Sequence, residues 1–244
     1  MSDKERIIYV PTPESRSLVV ENRWPEFENL LFEHGWNASN IQRVKIGYIV
    51  AQGAFTGQPR KTGQEWQFSH GEHIAKRLVT EWDYKDPVVV TAALNHDTAE
   101  DTVAFEMPAN GDESVDTLWV TNSQKREFAR RWLSKVFDKD TARIVLALTR
   151  PEIDNIEVFS HEQAQEIYIR QIREADDMRA LVIKLEDNIT NLEEPFNEQA
   201  HERKKLEIRK HFLPIYDKLL ISGQKSEAAE RRLLRLHELL EPGT

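Results

Sequence analysis

The chain has no cysteine among its 244 residues, so disulfide staples and thiolate metal sites are both excluded. It also lacks a long apolar run. No stretch approaches the roughly 18 residues that a membrane-spanning helix needs, and residues 1–20 open on Met-Ser-Asp-Lys-Glu-Arg without the apolar segment of a secretory signal. A cytoplasmic protein with no membrane partner is the expectation. Positive charge is in deficit: 33 Lys and Arg face 42 Asp and Glu, a formal net charge of −9. Such a surface repels a polyanion, so no nucleic-acid partner is expected. An anionic ligand would need a locally basic site or a metal ion. Glycine is scarce as well, at 9 residues, and three of these (Gly53, Gly57 and Gly63) fall in one short stretch. With 244 residues the chain can bury a sizeable core without covalent staples.

What is present reads as helix almost throughout. Apolar residues recur at helical spacing over 21–34 and over 38–54, the latter through Ile41, Val44, Ile46, Ile49 and Val50. Residues 53–69 carry turn signals, and Trp66 and Phe68 alternate with polar neighbours, which allows a short β-hairpin before His70. Helices are predicted over 70–82 and 86–101, the second with Pro87 in its first turn. Residues 106–123 are irregular. The helical pattern resumes over 124–137, 140–148, 161–172, 174–192, 199–221 and 226–240. No internal repeat and no low-complexity linker interrupts the chain. The expectation is an all-α bundle: an N-terminal tail over 1–20, then a single domain over 21–244 that closes with C-terminal helices over 197–241.

Three stretches carry chemistry. The run Ala92-Ala93-Leu94-Asn95-His96-Asp97-Thr98-Ala99-Glu100-Asp101-Thr102 sets a His-Asp pair and a Glu-Asp pair one helical turn apart. Adjacent carboxylates repel and shift one another's proton affinity, and a divalent cation would relieve that. In Leu181–Leu192, Asp187 and Asn191 lie four apart and project together. In Gly57–His70, two cations, Arg60 and Lys61, precede an aromatic ring and His70. Arginine suits stacking on planar bases and bidentate phosphate contacts. Each stretch by itself also fits a solvated helix end or loop. Together, His70, His96, Asp97 and Asp187 supply two imidazoles and two carboxylates, a donor set suited to Mn²⁺, Fe²⁺ or Zn²⁺.

In order and spacing these motifs resemble the hydrolase domain of RelA/SpoT-type alarmone enzymes, within the HD phosphohydrolase superfamily. The likeness spans roughly 44–192. It rests on Arg60-Lys61-Thr62-Gly63, His70, Ala92–Thr102 and Lys184-Leu185-Glu186-Asp187 with Asn191. The resemblance implies an HD-domain helical bundle that binds one Mn²⁺, or another divalent ion, through His70, His96, Asp97 and Asp187. It implies that Glu100 and Asp101 position or activate the attacking water, that Arg60 and Lys61 surround the guanine base, and that Asn191 contacts the nucleotide. Lys184 is a further candidate for substrate charge. The implied reaction removes pyrophosphate from the ribose 3′ position of ppGpp or pppGpp to leave GDP or GTP.

The chain departs from the family pattern at several places. His70 is followed by Gly71 where proline is usual, and Asn95 stands where an apolar residue normally precedes the His-Asp pair. Asn188 and Thr190 replace an Arg and a His, and residues 105–123 read as an insertion that could form a flap near the cleft. These departures bear on substrate identity. Alternatives on the same scaffold are an adenine alarmone, the 2′-phosphate of NADPH, a deoxynucleoside monophosphate, or a non-catalytic nucleotide sensor. The length leaves no room for the family's synthetase domain, so a stand-alone small alarmone hydrolase is expected, with a toxic alarmone synthetase as a compatible partner.

Overall fold

The computed structural model describes residues 23–55, 67–101, 122–150, 160–194, 197–221 and 226–241. The tail 1–20, the Arg60-Lys61 loop and residues 105–121 of the expected insertion 105–123 lie outside the described residues, as does most of the segment in which a hairpin was expected; residues 122 and 123 of that insertion begin a helix. Gln67 and Phe68, at the end of that segment, are helical. Among the described residues there is no strand.

The helices are α1 (Trp24–Glu33), α2 (Ala38–Ala54), α3 (Gln67–Thr80), α4 (Pro87–Asn95), α5 (Thr98–Asp101), α6 (Asn122–Val136), α7 (Lys139–Leu148), α8 (His161–Ala175), α9 (Met178–Glu193), α10 (Glu198–Glu207), α11 (Leu213–Ile221) and α12 (Ser226–Leu240). Among the described residues, six of them begin at a side-chain cap that satisfies an otherwise orphaned N–H. Asn37 accepts from Asn40 N at 2.9 Å, Asp86 from Val88 N, Asp138 from Thr141 N and Asp177 from Arg179 N. Ser160 and Gln163 form a reciprocal capping box before α8.

Two helices form the centre. In α4 every residue but Val88 is buried, and the helix packs against α2, α3 and α7. In α9 most residues are buried, and it packs against α3, α7, α11 and α12. One apolar core runs from Phe27 to Leu240. Trp24, Phe27, Tyr48 and Phe68 lock α1, α2 and α3 together edge to face and by stacking, with ring centroids 4.8–6.0 Å apart.

The contact of α2 with α4 explains Asn95. Gly47 lies so close to Thr91 that a Cβ there would fall 2.6 Å from the threonine methyl. The Asn95 amide donates to Gly47 O at 3.1 Å and to Thr91 O at 3.0 Å. An apolar residue at 95 could not make this tie.

Two expected helices are subdivided. The helix predicted over 86–101 stops at Asn95, and His96-Asp97 form a turn before α5. Here Nδ1 of His96 bonds Ala93 O, Thr98 Oγ1 donates to Asn95 O, and Glu100 N bonds Asp97 O three residues back, all in place of the regular ladder. The helix predicted over 199–221 contains a π turn at Ile208–Phe212. Pro214 accounts for it, because the residue has no N–H for Lys210 O and its ring would collide with that carbonyl.

Candidate metal and phosphate site

The turn at His96-Asp97, the start of α3 and the C-terminal half of α9 meet at one point. His70, on α3, places Nε2 2.8 Å from Oδ1 of Asp187, on α9. His96 places its own Nε2 3.9 Å from the same oxygen and 3.1 Å from Oδ2 of Asp97. The two imidazole centroids are 5.4 Å apart. Ligand atoms of His70, His96 and Asp97 all lie within 4.8 Å of one another. His70, His96 and Asp187 are buried, and Asp97 is one-quarter exposed.

The hydrogen bond between Nδ1 of His96 and Ala93 O, 2.8 Å long, requires the proton on Nδ1. That leaves Nε2, buried and without a directed hydrogen bond among the described residues, as the nitrogen facing the carboxylates. A buried ring nitrogen flanked by two carboxylates and a second imidazole, able to exchange its proton for a metal, is what a divalent cation needs. The donor set therefore fits one. Electrostatics agree. Burial opposes a proton on His96, but Asp97 and Asp187 outweigh it and raise the ring to about 9. Burial likewise opposes the charge of Asp97, yet His96 holds that carboxyl at about 2. The pocket attracts positive charge.

Asp187 is held by both oxygens. Lys184 Nζ donates to Oδ2 at 2.6 Å, and Asn191 Nδ2 donates to Oδ1 at 2.6 Å. Asn191 and Lys184, expected to touch the nucleotide, thus sit on the aspartate itself. Lys184 is buried over the rings of Tyr168 and Phe212, 5.4 and 5.3 Å from their centroids. Burial disfavours its charge, but Asp187 more than compensates and lifts it well above the ordinary lysine value.

Glu100, on α5, accepts from the backbone N–H of Arg150 at 3.0 Å, and its Oε1 is 3.8 Å from the Arg150 guanidinium. Burial and then the Asp97 carboxylate push the Glu100 carboxyl up, against Arg150 and Lys184. Asp101 ends α5, and its side chain lies outside the described residues, as do Arg60 and Lys61.

Sequence reasoning missed a cluster beside this point. Arg150 lies 5.7 Å over the Tyr168 ring, and Lys204 lies 5.9 Å over that of Phe212. Both reach Glu207, at 3.5 and 3.4 Å, and Gln165 donates to the same oxygen at 2.7 Å. Burial and the nearby Lys184 ammonium lower the Lys204 pKa. Arg150 sits just beyond the apolar α7 and before Pro151, outside every motif read from the sequence. The π turn that orients Phe212 beneath the two lysines was signalled only by Pro214.

Residues 48–221 match the HD domain family. A guanosine-3′,5′-bis(diphosphate) 3′-pyrophosphohydrolase of Aquifex aeolicus is 27% identical over 204 residues, 83% of this chain. The chain spans about one-quarter of that relative's length. A solved structure described as a metazoan ortholog of SpoT that hydrolyses ppGpp superposes with a TM-score of 0.54 at 18% identity, over 81% of this chain and 93% of that one. The matched region holds the helical bundle, the His-Asp turn and the distant aspartate of α9, and the chain belongs to the HD-domain family.

Proposed function

We propose that this chain is a divalent-metal-dependent hydrolase of guanosine 3′,5′-bis(diphosphate) and its 5′-triphosphate analogue, releasing the 3′-pyrophosphate to leave GDP or GTP. The observation that carries the reading is the convergence of His70, His96, Asp97 and Asp187 beside Glu100, in an HD domain with a relative of that name. The chemistry of the donor set favours Mn²⁺, with other borderline-hard ions compatible. When bound, the ion would polarise a phosphoryl oxygen and acidify water.

The side chains do the rest. Glu100, with its proton affinity raised by burial and Asp97, is placed to accept a proton from the attacking water. The Arg150 N–H fixes its direction. For Asp101, the second acid of the pair, the resemblance implies a role in orienting Glu100 or the metal shell. Lys184 and Asn191 aim the Asp187 carboxylate. Arg150 and Lys204 offer positive charge to the polyphosphate, where the chain as a whole is acidic. Arg60 and Lys61 supply contacts to the guanine base.

A panel of nucleotides with Mn²⁺ tests this. The expected result is release of pyrophosphate from ppGpp faster than any release from an adenine analogue, NADPH or a deoxynucleoside monophosphate, with loss of turnover on chelation. Faster hydrolysis of a deoxynucleoside monophosphate would overturn it.

A further inference from the structure

Helix α9 carries Asp187 and Asn191 on one face, and Glu194, the residue that caps its C-terminus, extends that face by one more turn. His70 lies against this face, and the helix reaches both of its ring nitrogens. Nε2 is 2.8 Å from Oδ1 of Asp187, and Nδ1 is 3.6 Å from Oε1 of Glu194. Nδ1 is buried and makes no hydrogen bond among the described residues. The backbone of Glu194 turns to an extended conformation (φ −81°, ψ 149°) as the helix stops. Its neighbour Glu193 is engaged elsewhere, with Arg77 and Arg235. Of this adjacent acidic pair, Glu194 is the one within reach of the imidazole.

The two histidines need the same arrangement. For Nε2 to offer a lone pair to a cation, the ring proton must be held at Nδ1 by an acceptor. The carbonyl of Ala93 does this for His96. Among the described residues no backbone carbonyl does it for His70, and the Glu194 carboxylate stands within a few tenths of an ångström of hydrogen-bonding distance. We propose that Glu194 is a positioning residue of the cation site: it accepts the Nδ1 proton of His70 and so fixes the ring with Nε2 turned to the ion. This rests on the metal reading of the site and is independent of which nucleotide is cleaved. Under it, α9 supplies one ligand directly and orients another.

The experiment measures Mn²⁺ affinity of the full chain by calorimetric titration, with no substrate, for the wild type, Glu194→Ala, Glu194→Gln and Asp97→Asn. Thermal unfolding of each metal-free protein is measured alongside. Glu194→Ala is expected to weaken Mn²⁺ roughly 10–100-fold. Glu194→Gln, which keeps an oxygen acceptor, is expected to recover most of that loss, and the metal-free melting temperatures of the Glu194 variants are expected to stay close to that of the wild type. Asp97→Asn, removing a ligand, is the control for loss of the site. Mn²⁺ affinity within about twofold of wild type in both Glu194 variants would overturn the proposal. Equal weakening in both, together with a fall in metal-free stability, would also overturn it and assign Glu194 to the fold. A wild-type protein that takes up no Mn²⁺ would overturn the cation reading itself, whereas Mn²⁺ binding with inactivity on ppGpp would fault the substrate alone.

Discussion

At the scale of single residues, the proposed mechanism assigns some groups to the ion and others to protons. It places Glu100 in the second set. It reaches Arg150 rather than the imidazoles, so Glu100→Gln is expected to leave Mn²⁺ affinity unchanged while turnover falls roughly 10²–10⁴-fold. Single-turnover kinetics beside a metal titration would check both halves. The glutamine oxygen can still accept from the Arg150 N–H, so the loss would report the proton and not the position. The candidate ligands were legible because their motifs are short and chemically unusual: an imidazole and three acids around one turn cannot be explained as packing. Arg150, Lys204 and Glu194 were not legible. Lys204 and Glu194 sit in stretches rich in charge, where one cation or acid looks like any other, and Arg150 stands alone at a helix end; only the packing of α7, α9 and α10 brings them to the site. Asn95 looked like a departure without a reason until its two carbonyl partners were in place.

At the scale of elements, the periodicity located the helices well, and the breaks less so. His96-Asp97 interrupts a helix without glycine or proline, because side-chain hydrogen bonds compete with the ladder. No apolar pattern records such a competition. The start of α9 was predicted at 174 and lies at Met178, because Asp176 turns into the left-handed region (φ 45°) and Asp177 caps a new helix. Asp177 also takes both arms of Arg179 at 3.0 Å and Arg143 at 2.9 Å. Burial opposes its charge, yet these bonds hold the carboxyl below its ordinary value. A carboxyl lowered by folding stabilises fully above its unfolded pKa of about 4 and loses that contribution as pH falls through the folded value. Asp177→Asn keeps the cap but removes the charge. It is expected to cost about 1 kcal/mol at neutral pH. The gap from wild type should close below about pH 4, as urea unfolding at several pH values would show.

At the scale of the molecule, Glu186 joins the C-terminal helix to the site. It is fully buried next to Asp187 and accepts from Trp82 Nε1 at 2.8 Å and from Arg232 at 2.6 Å on each oxygen. Arg232→Ala would strand most of that charge in the core. It is expected to destabilise the fold by about 3 kcal/mol, seen as a lower urea midpoint with unchanged slope. A smaller loss would mean that Trp82 and Arg77 suffice to hold the carboxylate. The all-α architecture was readable in advance. That α12 braces the helix carrying the ligand was not, since the amphipathic pattern of 226–240 names no partner.

The reach of the His70–Asp187 bond across 117 residues sets an order of events. During synthesis the chain emerges from its N-terminus. His70, His96 and Asp97 exist for as long as it takes to add some ninety residues before their fourth companion appears, and the arginine that braces α9 comes later still. If the proposed four-residue site is right, the set is complete only once α9 has been made and packed. Ion capture would then come late in maturation, sealing a finished body rather than seeding one, and a chain interrupted before residue 187 would lack one of its proposed ligands.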